Sequence, residues 1–443
     1  MSHYFEIAYA AVNRRLCLFT GTGFSKVLSE STAPTWIELL SALCDLDPSL
    51  QSIREDYLKE GAQLPLEDIA QIIAIELEKL ELNIYEEIEK IINEKAKCVN
   101  NHATKPIQDF FNQHSFRVIT TNYDKLGQAL ISKSDSYQTI APGMVIPRFN
   151  AKVKFYHVHG SVDIPHKMVV TTNDYMNFIN HDSYFSRKLS TMLYENTVVI
   201  LGYKLGDTNL KAILSEYNTY ANDNHNTLNI FFVTRNSVQQ ELKDYYCRSF
   251  GIQVIEGMEI KDFFQQVNNR ISDAEKAKEF TDDIHYRLSN DKGNDWGTIC
   301  NEEHLKIENS FYEIYNAAFS SSRANNAKIE EIITTIFTMK RNLTRQDGAW
   351  EQYAHLAKWL IYLLSKMKLQ KNMPFTKNIL EVVEFSFLNM RKGYTFGYSW
   401  EAFKIWNENC QSIHHENRSI LKSHFQNSDV IISKDAIMVI EKL

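Results

Sequence analysis

The sequence predicts an α/β protein whose first part has a Rossmann-like, mostly parallel sheet with a helical insertion, followed by an all-α C-terminal domain. Two observations underlie this prediction. Short apolar or β-branched runs alternate with longer amphipathic segments up to Gly257, and such alternation is typical of α/β domains. Strand-like runs then stop, and from Thr298 to Leu443 the periodicity is helical almost throughout.

Size and charge set the first limits on function. The 443 residues are enough for two or three domains with a sizeable core. Forty-eight lysines and arginines oppose 55 aspartates and glutamates, which gives a formal net charge of −7. Because this balance provides no overall attraction to a polyanion, we expect neither direct nucleic-acid binding nor binding to an anionic membrane.

The N-terminal residues and the cysteines predict a cytoplasmic protein. The first residues lack the basic and apolar regions of a secretory signal. The longest apolar runs, such as 359–364, fall far short of the ~20 residues that cross a bilayer. Six cysteines are scattered along the chain and form no CxxC pair. Reduced thiols in the cytoplasm are the simplest explanation of this pattern.

Seven runs in the first part have the composition of strands. Several of them are continuous β-branched or aromatic stretches, as expected where both faces of a parallel sheet are covered. The runs cover residues 15–20, 116–121, 153–160, 168–172, 197–202, 228–234 and 252–257.

The residues between the first two strand runs have a helical character. Residues 66–97 carry apolar side chains at helical spacing, with charged residues between them. This predicts helices inserted into the α/β unit over about 45–112, although ordinary crossover helices would give the same pattern. A polar, turn-rich stretch at 290–297 marks the predicted boundary between a domain of residues 1–289 and a helical domain of residues 290–443.

The first strand run ends in the sequence GTGFS, residues 21–25. Glycines between a strand and a helix allow the backbone to approach a pyrophosphate, which then accepts hydrogen bonds from the N–H groups at the start of the helix. The third glycine of the common dinucleotide fingerprint is absent, because Lys26 stands three residues after Gly23. By itself, this stretch is therefore either a nucleotide-binding turn or a tight turn without a ligand.

Polar residues also follow later strand runs. Asn122 and Asp124 would point into one crevice if the chain stays extended, or would form an Asx turn that caps the next helix. His159 precedes a glycine and is a candidate general base, since its ordinary pKa is about 6.5. His157 would share its face of the strand, and either histidine could be structural. The fifth run leads into another glycine turn, GYKLGD.

Taken in this order, the strand ends GTGFS, TTNYD, HVHGS and GYKLGD resemble those of the sirtuin-like family of NAD-binding proteins, which has the silent information regulator fold. The resemblance covers about residues 10–260 and does not extend into the helical C-terminal region. It implies a Rossmann-like domain that binds NAD at these four strand ends.

The resemblance also implies a role for each matching residue. Asn122 would position the nicotinamide ribose and an attacking water, His159 would be the catalytic histidine, and Asp124 would contact the nicotinamide end. His157 has no counterpart role and is expected to be structural. The residues expected to bind the rest of the dinucleotide lie in the two glycine turns: Gly21, Thr22, Gly23, Phe24, Ser25, Gly202, Tyr203 and Asp207.

Two departures separate the sequence from deacylating sirtuins. Those enzymes hold a zinc ribbon with two CxxC pairs, which this sequence lacks, and the segment after GTGFS differs from their GIPDFR type. The motifs TTNYD, HGS and GYxLGD resemble those of bacterial sirtuin-like domains that hydrolyse NAD during antiphage defence more than those of deacylating sirtuins. The resemblance therefore implies an NAD glycohydrolase that depletes NAD by releasing nicotinamide and ADP-ribose, with no zinc and no cofactor beyond the substrate.

Other functions stay open at this point. The site would bind NAD or ADP-ribose as a sensor without turnover, or the chain would be a zinc-free ADP-ribosyltransferase or deacylase. The helical C-terminal domain is expected to mediate homo-oligomerisation or partner docking. At the level of architecture, the chain is similar to effectors that assemble with a HerA-type ATPase, which is therefore an expected partner.

Overall fold

The computed structural model describes most of the chain, and the described residues fall into two compact units. The sheet unit contains the described residues from 10 to 271, and the helical unit contains residues 3–9 with the described residues from 272 to 443. The described ranges are 3–59, 64–102, 104–146, 148–180, 184–203, 214, 229–290, 301–320, 326–346, 350–388, 390, 400–427 and 434–443.

Within the described residues, the sheet unit is built on seven parallel strands. These are β1 (Leu16–Thr20), β2 (Phe116–Thr120), β3 (Tyr137–Ile140), β4 (Val153–His157), β5 (Thr197–Leu201), β6 (Ile230–Val233) and β7 (Ile252–Ile255). Their spatial order is β3-β4-β2-β1-β5-β6-β7. Apart from the edge strand β3, this is the order of doubly wound dinucleotide-binding folds. The predicted fold class is confirmed.

Six of the seven predicted strand runs form strands, but the prediction of a strand at residues 168–172 was wrong. There, the N–H of Val169 donates to the carbonyl of His159 at 2.8 Å, and the carbonyl of Val169 accepts from the Tyr123 hydroxyl at 2.6 Å. The run is apolar because Met168 and Val170 pack into the apolar cluster of the helices between β1 and β2. The strand that the sequence did not reveal is β3, whose edge position tolerates the polar sequence YQTI.

The order of the strands reverses between β1 and β5, which pair at the centre of the sheet. In open α/β sheets, ligands bind in the crevice beyond the carboxyl ends of the strands at such a reversal. Thr20 ends β1 and pairs with Leu201, which ends β5. The glycine turns GTGFS and GYKLGD therefore both begin at this crevice.

Helices fill most of the connections in the sheet unit. Short 3-10 helices cover Pro48–Leu50, Ser134–Ser136 and Pro165–Lys167. The α-helices are α1 (His3–Val12, divided between the two units), α2 (Thr22–Leu28), α3 (Trp36–Cys44), α4 (Gln51–Tyr57), α5 (Leu66–Lys79), α6 (Ile84–Lys95), α7 (Lys105–Gln113), α8 (Leu126–Ala129), α9 (Thr172–Asn180), α10 (Tyr184–Glu195), α11 (Gln240–Phe250) and α12 (Ile260–Asn268).

The helices between β1 and β2 form an apolar cluster that also buries the loops following β2 and β4. Local capping starts two of these helices, because the Thr35 hydroxyl accepts the Glu38 N–H at 3.2 Å and the Asn83 side chain accepts from the first turn of α6. The loop residues in the cluster are Tyr123, Val162, Met168 and Val170. The helical segment predicted at about 45–112 thus packs directly on the ends of the site-bearing strands.

The helical unit contains helices of the kind that the periodicity predicts. Its α-helices are α13 (Ile271–Asn290, apart from its first residue), α14 (Glu302–Lys306), α15 (Ser310–Ser320), α16 (Asn326–Leu343), α17 (Trp350–Lys366), α18 (Pro374–Leu388), α19 (Trp400–Asn409), α20 (His415–Gln426) and α21 (Lys434–Lys442), and a 3-10 turn covers Cys410–Ser412. The predicted boundary at residue 289 lies at the end of α13. Among the described residues, no helix has the length and apolar character needed to cross a bilayer.

Lys340 is a fully buried lysine in the core of the helical unit. Its ammonium donates to the Leu305 carbonyl at 2.7 Å and to Gln352 Oε1 at 2.5 Å, and lies 4.1 Å from the centre of the Trp359 ring. These groups stabilise the charge only in part, since burial lowers the pKa of Lys340 to about 7.

Replacing Lys340 by methionine is expected to weaken the pH dependence of the unfolding free energy between about pH 7 and 9. In the unfolded chain the lysine has its ordinary pKa of about 10.4, so above pH 7 the unfolded state binds more protons and stability rises with pH. This group contributes a slope approaching about 1.4 kcal/mol per pH unit. Urea denaturation of both proteins across this range measures the slope, and a constant difference between them would contradict the assignment.

Candidate active site

Three glycines bring the chain beyond β1 against the chain beyond β5. The N–H of Gly21 donates to the Leu201 carbonyl at 3.0 Å, and the N–H of Gly23 donates to the Gly202 carbonyl at 2.9 Å. A Cβ on Gly23 would lie 2.8 Å from the Gly202 Cα, and Gly202 itself has a φ of +69°. The close approach of two backbones therefore explains the glycines. Since the Gly23 N–H is bonded within the protein, its role towards a phosphate stays a prediction.

Tyr203 crosses the point where the strand order reverses. A Cβ on Gly21 would lie 2.6 Å from the Tyr203 ring, and the ring centre lies 5.0 Å from that of Phe19. The Tyr203 hydroxyl shares a hydrogen bond with the hydroxyl of Thr121, just beyond β2. This tyrosine thus connects the end of β5 to the end of β2, over β1.

The remaining residues predicted to bind the dinucleotide differ in their placement. The Phe24 ring is buried and stacks on Phe111 with ring centres 6.0 Å apart, so it packs into the core. Thr22 is the first residue of α2 and is partly exposed. Asp207 lies outside the described residues. The Ser25 side chain contacts Asn122 and Asp124 beyond β2.

Ser25 joins Asn122 and Asp124 in one chain of hydrogen bonds. The Asn122 amide donates to Ser25 Oγ at 2.7 Å, and Ser25 Oγ donates to Asp124 Oδ2 at 2.7 Å. The second carboxylate oxygen of Asp124 accepts the Leu126 N–H at 3.0 Å, at the start of α8. Asp124 thus forms an Asx turn at the start of α8 and is also bonded to Ser25 in the first glycine turn, while its contact with a dinucleotide stays a prediction.

The environment of Asp124 acts on its charge in opposite directions. Burial raises the pKa of the carboxyl above its ordinary value, whereas the hydrogen bonds from the Leu126 N–H and the Ser25 hydroxyl lower it. In this arrangement each carboxylate oxygen accepts a hydrogen bond, which is the role of the ionised form. The hydroxyl of Ser25 must then point to Asp124, so its oxygen is the acceptor for Asn122.

His159 lies two residues beyond β4, as Asn122 lies two residues beyond β2. The two strands pair at Thr120 and His157, and the N–H of Val162 donates to the Tyr123 carbonyl at 3.1 Å, which holds the two following loops together. The structure thus brings the residues predicted to be catalytic to the ends of neighbouring strands.

Aromatic side chains enclose the His159 imidazole. The rings of Tyr175 and Phe178, both on α9, meet it edge to face with ring centres 5.4 Å away, and only 6% of the residue is exposed. Gly160 follows at a φ of +90°, where a Cβ would lie 2.6 Å from the Met168 Cα. The glycine is required because the chain passes directly over residues 167 and 168.

Hydrogen bonds to Asp174 hold the segment that leads into α9, next to His159. Asp174 Oδ2 accepts the N–H and the hydroxyl of Thr171, each at 2.9 Å, and the hydroxyl of Tyr85 on α6 at 2.9 Å. The helices between β1 and β2 are therefore bonded to the segment that leads into α9. Sequence reasoning missed this connection, since Tyr85 and Asp174 stand in separate patterns far apart in the chain.

The polar groups at this edge of the sheet are suited to binding hydroxyl groups. They are an amide, hydroxyls, a carboxylate and an imidazole, which together can donate to and accept from ribose hydroxyls. Within the part of the chain that the structure describes, no three His, Cys, Asp or Glu side chains come together as a metal site would require.

Comparison with known proteins agrees with this architecture. Residues 117–255 match the SIR2-like domain family, a range that begins in β2 and ends with β7. The chain is 25% identical to Defense-associated sirtuin 2 of Bacillus subtilis over 164 residues. These aligned residues make up 36% of this chain and 16% of that protein. The chain thus spans only a small part of the length of this relative. Residues 117–255 are thus similar to SIR2-like domains, and part of the chain is similar to part of a defence-associated sirtuin.

Proposed function

We propose that the protein is an NAD glycohydrolase that depletes NAD in antiphage defence. The observation that carries the proposal is the hydrogen-bonded chain of Asn122, Ser25 and Asp124 next to the loop of His159, at the strand-order reversal of a SIR2-like domain. The defence setting is supported by the relative, which is named as a defence-associated sirtuin.

The reaction makes modest demands on the protein. Nicotinamide in NAD is bonded to C1′ of the ribose as a cation, so it leaves as a neutral molecule and needs no general acid. The transition state has oxocarbenium character, as in other glycosidic cleavages. Water then bonds to C1′ and loses a proton, which gives ADP-ribose, nicotinamide and H⁺. The protein has to orient the ribose, place the water and accept the proton.

Each of these tasks has a suitable side chain. Since the Asn122 nitrogen is held by Ser25, its side-chain oxygen is the atom that accepts from the ribose or from the attacking water. Asp124 keeps the Ser25 hydroxyl in the direction that this arrangement requires. His159 accepts the proton of the water or of a ribose hydroxyl. Gly21, Gly202 and neighbouring turn residues, including Thr22 and Tyr203, bind the remainder of the dinucleotide.

The helical unit has a separate proposed role. It mediates self-association or docking to a partner, for which a HerA-type ATPase is the candidate, and so controls when the NAD site is active. This proposal is supported by analogy of architecture. An uncontrolled NAD hydrolase would harm its host, which makes such control necessary.

Turnover of NAD by the purified full-length protein tests the function directly. We expect nicotinamide and ADP-ribose in equal amounts by chromatography, either from the protein alone or in an extract of phage-infected cells. NAD binding without nicotinamide release under both conditions would favour a sensor. Transfer of label from NAD to protein, or deacylation of an acyl-lysine peptide, would favour the transferase or deacylase alternatives. Any of these results without hydrolysis contradicts the proposal.

A further inference from the structure

His157, the last residue of β4, makes a hydrogen bond through each of its ring nitrogens. Its Nδ1 lies 2.9 Å from the main-chain carbonyl oxygen of Asn122, and its Nε2 lies 2.7 Å from the side-chain nitrogen of Gln128. The residue is fully buried, with 0% of its surface exposed, and Gln128 is buried beside it. The two side chains thus form a polar pair beneath the loop that carries Asn122.

The partners determine which nitrogen carries the proton. A carbonyl oxygen can only accept, so Nδ1 of His157 carries the hydrogen and donates it to Asn122. In a neutral ring Nε2 is then an acceptor, and the amide nitrogen of Gln128 is the donor that it requires. Gln128 therefore selects the tautomer that bonds the Asn122 carbonyl.

The surroundings favour the neutral ring. Burial lowers the pKa of His157 to about 4, an effect that exceeds the opposing contributions of the Asn122 carbonyl and Asp163. An imidazolium would also direct an N–H at the amide nitrogen of Gln128, where no acceptor lies. The ring is thus neutral, and its tautomer fixed, throughout the pH range in which NAD would be hydrolysed.

The His157 hydrogen bond is one of three that hold Asn122 in place. Its N–H donates to Thr120 Oγ1 at 3.1 Å, its carbonyl accepts from His157, and its side chain donates to Ser25. Both main-chain polar groups and the side-chain amide are therefore held by three separate side chains. Loss of the His157 bond would leave the main chain free to turn about the residue that orients the ribose and water.

We infer that His157, oriented by Gln128, is a positioning residue that sets the main chain of Asn122 for the reaction. This inference rests on the proposed function. A misplacement of about 1 Å in a reacting group costs on the order of 10²-fold in rate, which sets the expected size of the effect.

Substitutions at His157 test the inference through kinetics. His157→Phe removes the donor and should lower kcat about 10²-fold with a much smaller change in KM. His157→Asn places an amide N–H where Nδ1 was and should recover most of the loss. Phe155→Leu, a buried change on the same strand at a ring that packs on Phe111 and Tyr137, should leave kcat unchanged. Equal losses in the Phe155 and His157 variants, or no rescue by asparagine, would overturn the inference.

A second set of variants separates positioning from general destabilisation. Once Asn122 is alanine, the residue to be positioned is gone, so adding His157→Phe should cause little further loss of the residual rate. Independent, multiplicative losses in the double variant would argue for a merely structural role. Gln128→Leu removes the donor to Nε2 while leaving the imidazole in place, and provides the test if the His157→Phe protein does not fold.

The tautomer gives a measurement that does not depend on turnover. Ring ¹⁵N chemical shifts of His157 should identify the neutral Nδ1–H form at pH 7 in the wild type, and a mixture of tautomers in Gln128→Leu. An imidazolium or the Nε2–H form in the wild type would overturn the inference. A wild type with the expected tautomer that never releases nicotinamide would instead contradict the proposed function, so the two failures are distinguishable.

Discussion

Replacing His159 by alanine is expected to slow nicotinamide release by about 10²- to 10⁴-fold, the usual contribution of a general base. The imidazole is the proposed general base beyond β4, and the aromatic rings of Tyr175 and Phe178 hold it in place. Because alanine at this position leaves the turn at Gly160 unchanged, the protein should fold and keep its affinity for NAD. Steady-state release of nicotinamide, with NAD affinity measured by calorimetry, separates the two effects.

Asn122→Ala should cause a loss of similar size for a different reason, since it removes the group that orients the ribose and the water. Ser25→Ala keeps the asparagine but removes its hydrogen-bond partner, so its rate should lie between those of the wild type and Asn122→Ala. His102→Ala, at an exposed histidine of the same unit, is the matched control and should be fully active. Wild-type rates in the His159 and Asn122 variants would remove both residues from the mechanism.

The strands that the sequence predicts most directly are those whose residues are all buried and therefore mostly apolar. The central strands β1 and β5 are buried at every position, so the apolar run marks the strand. The same rule fails at residues 168–172, where an apolar run is buried by the helices between β1 and β2 and not in the sheet. It also fails at β3, which lies at the edge of the sheet and can keep polar residues.

In the candidate site, too, some features can be predicted from the sequence and others cannot. The placement of Asn122 and His159 at one edge of the sheet can be predicted from sequence, because each stands just beyond a strand and neighbouring parallel strands end at the same edge. The pairing of His157 with Gln128 cannot be found in this way, since the partner lies on a different element 29 positions away. For the same reason, the sequence shows that Gly23 and Gly202 are glycines but not that they contact each other.

That contact leads to the second large effect, because Gly202→Ala is expected to lower the unfolding free energy by about 2–5 kcal/mol. One part of the loss is the left-handed backbone at a φ of +69°, and the other is the collision of the new Cβ with the Phe24 nitrogen and with the Gly23 carbonyl carbon, 2.7 Å away. Gly257→Ala supplies the control. It has nearly the same φ, +63°, but no atom lies within 4 Å of its Cβ.

Comparison of the two alanine variants separates the stability lost through the Cβ collision from the stability lost through the left-handed backbone. Gly257→Ala should lose only the cost of the left-handed conformation, about 1–2 kcal/mol, and should hydrolyse NAD normally. Gly202→Ala should lose more stability in urea denaturation, and it should also lose NAD affinity, because relieving the collision moves the GTGFS turn away from the end of β5. If both variants lost the same stability and both kept NAD affinity, the contact between Gly23 and Gly202 would not be what holds the two turns at the crevice.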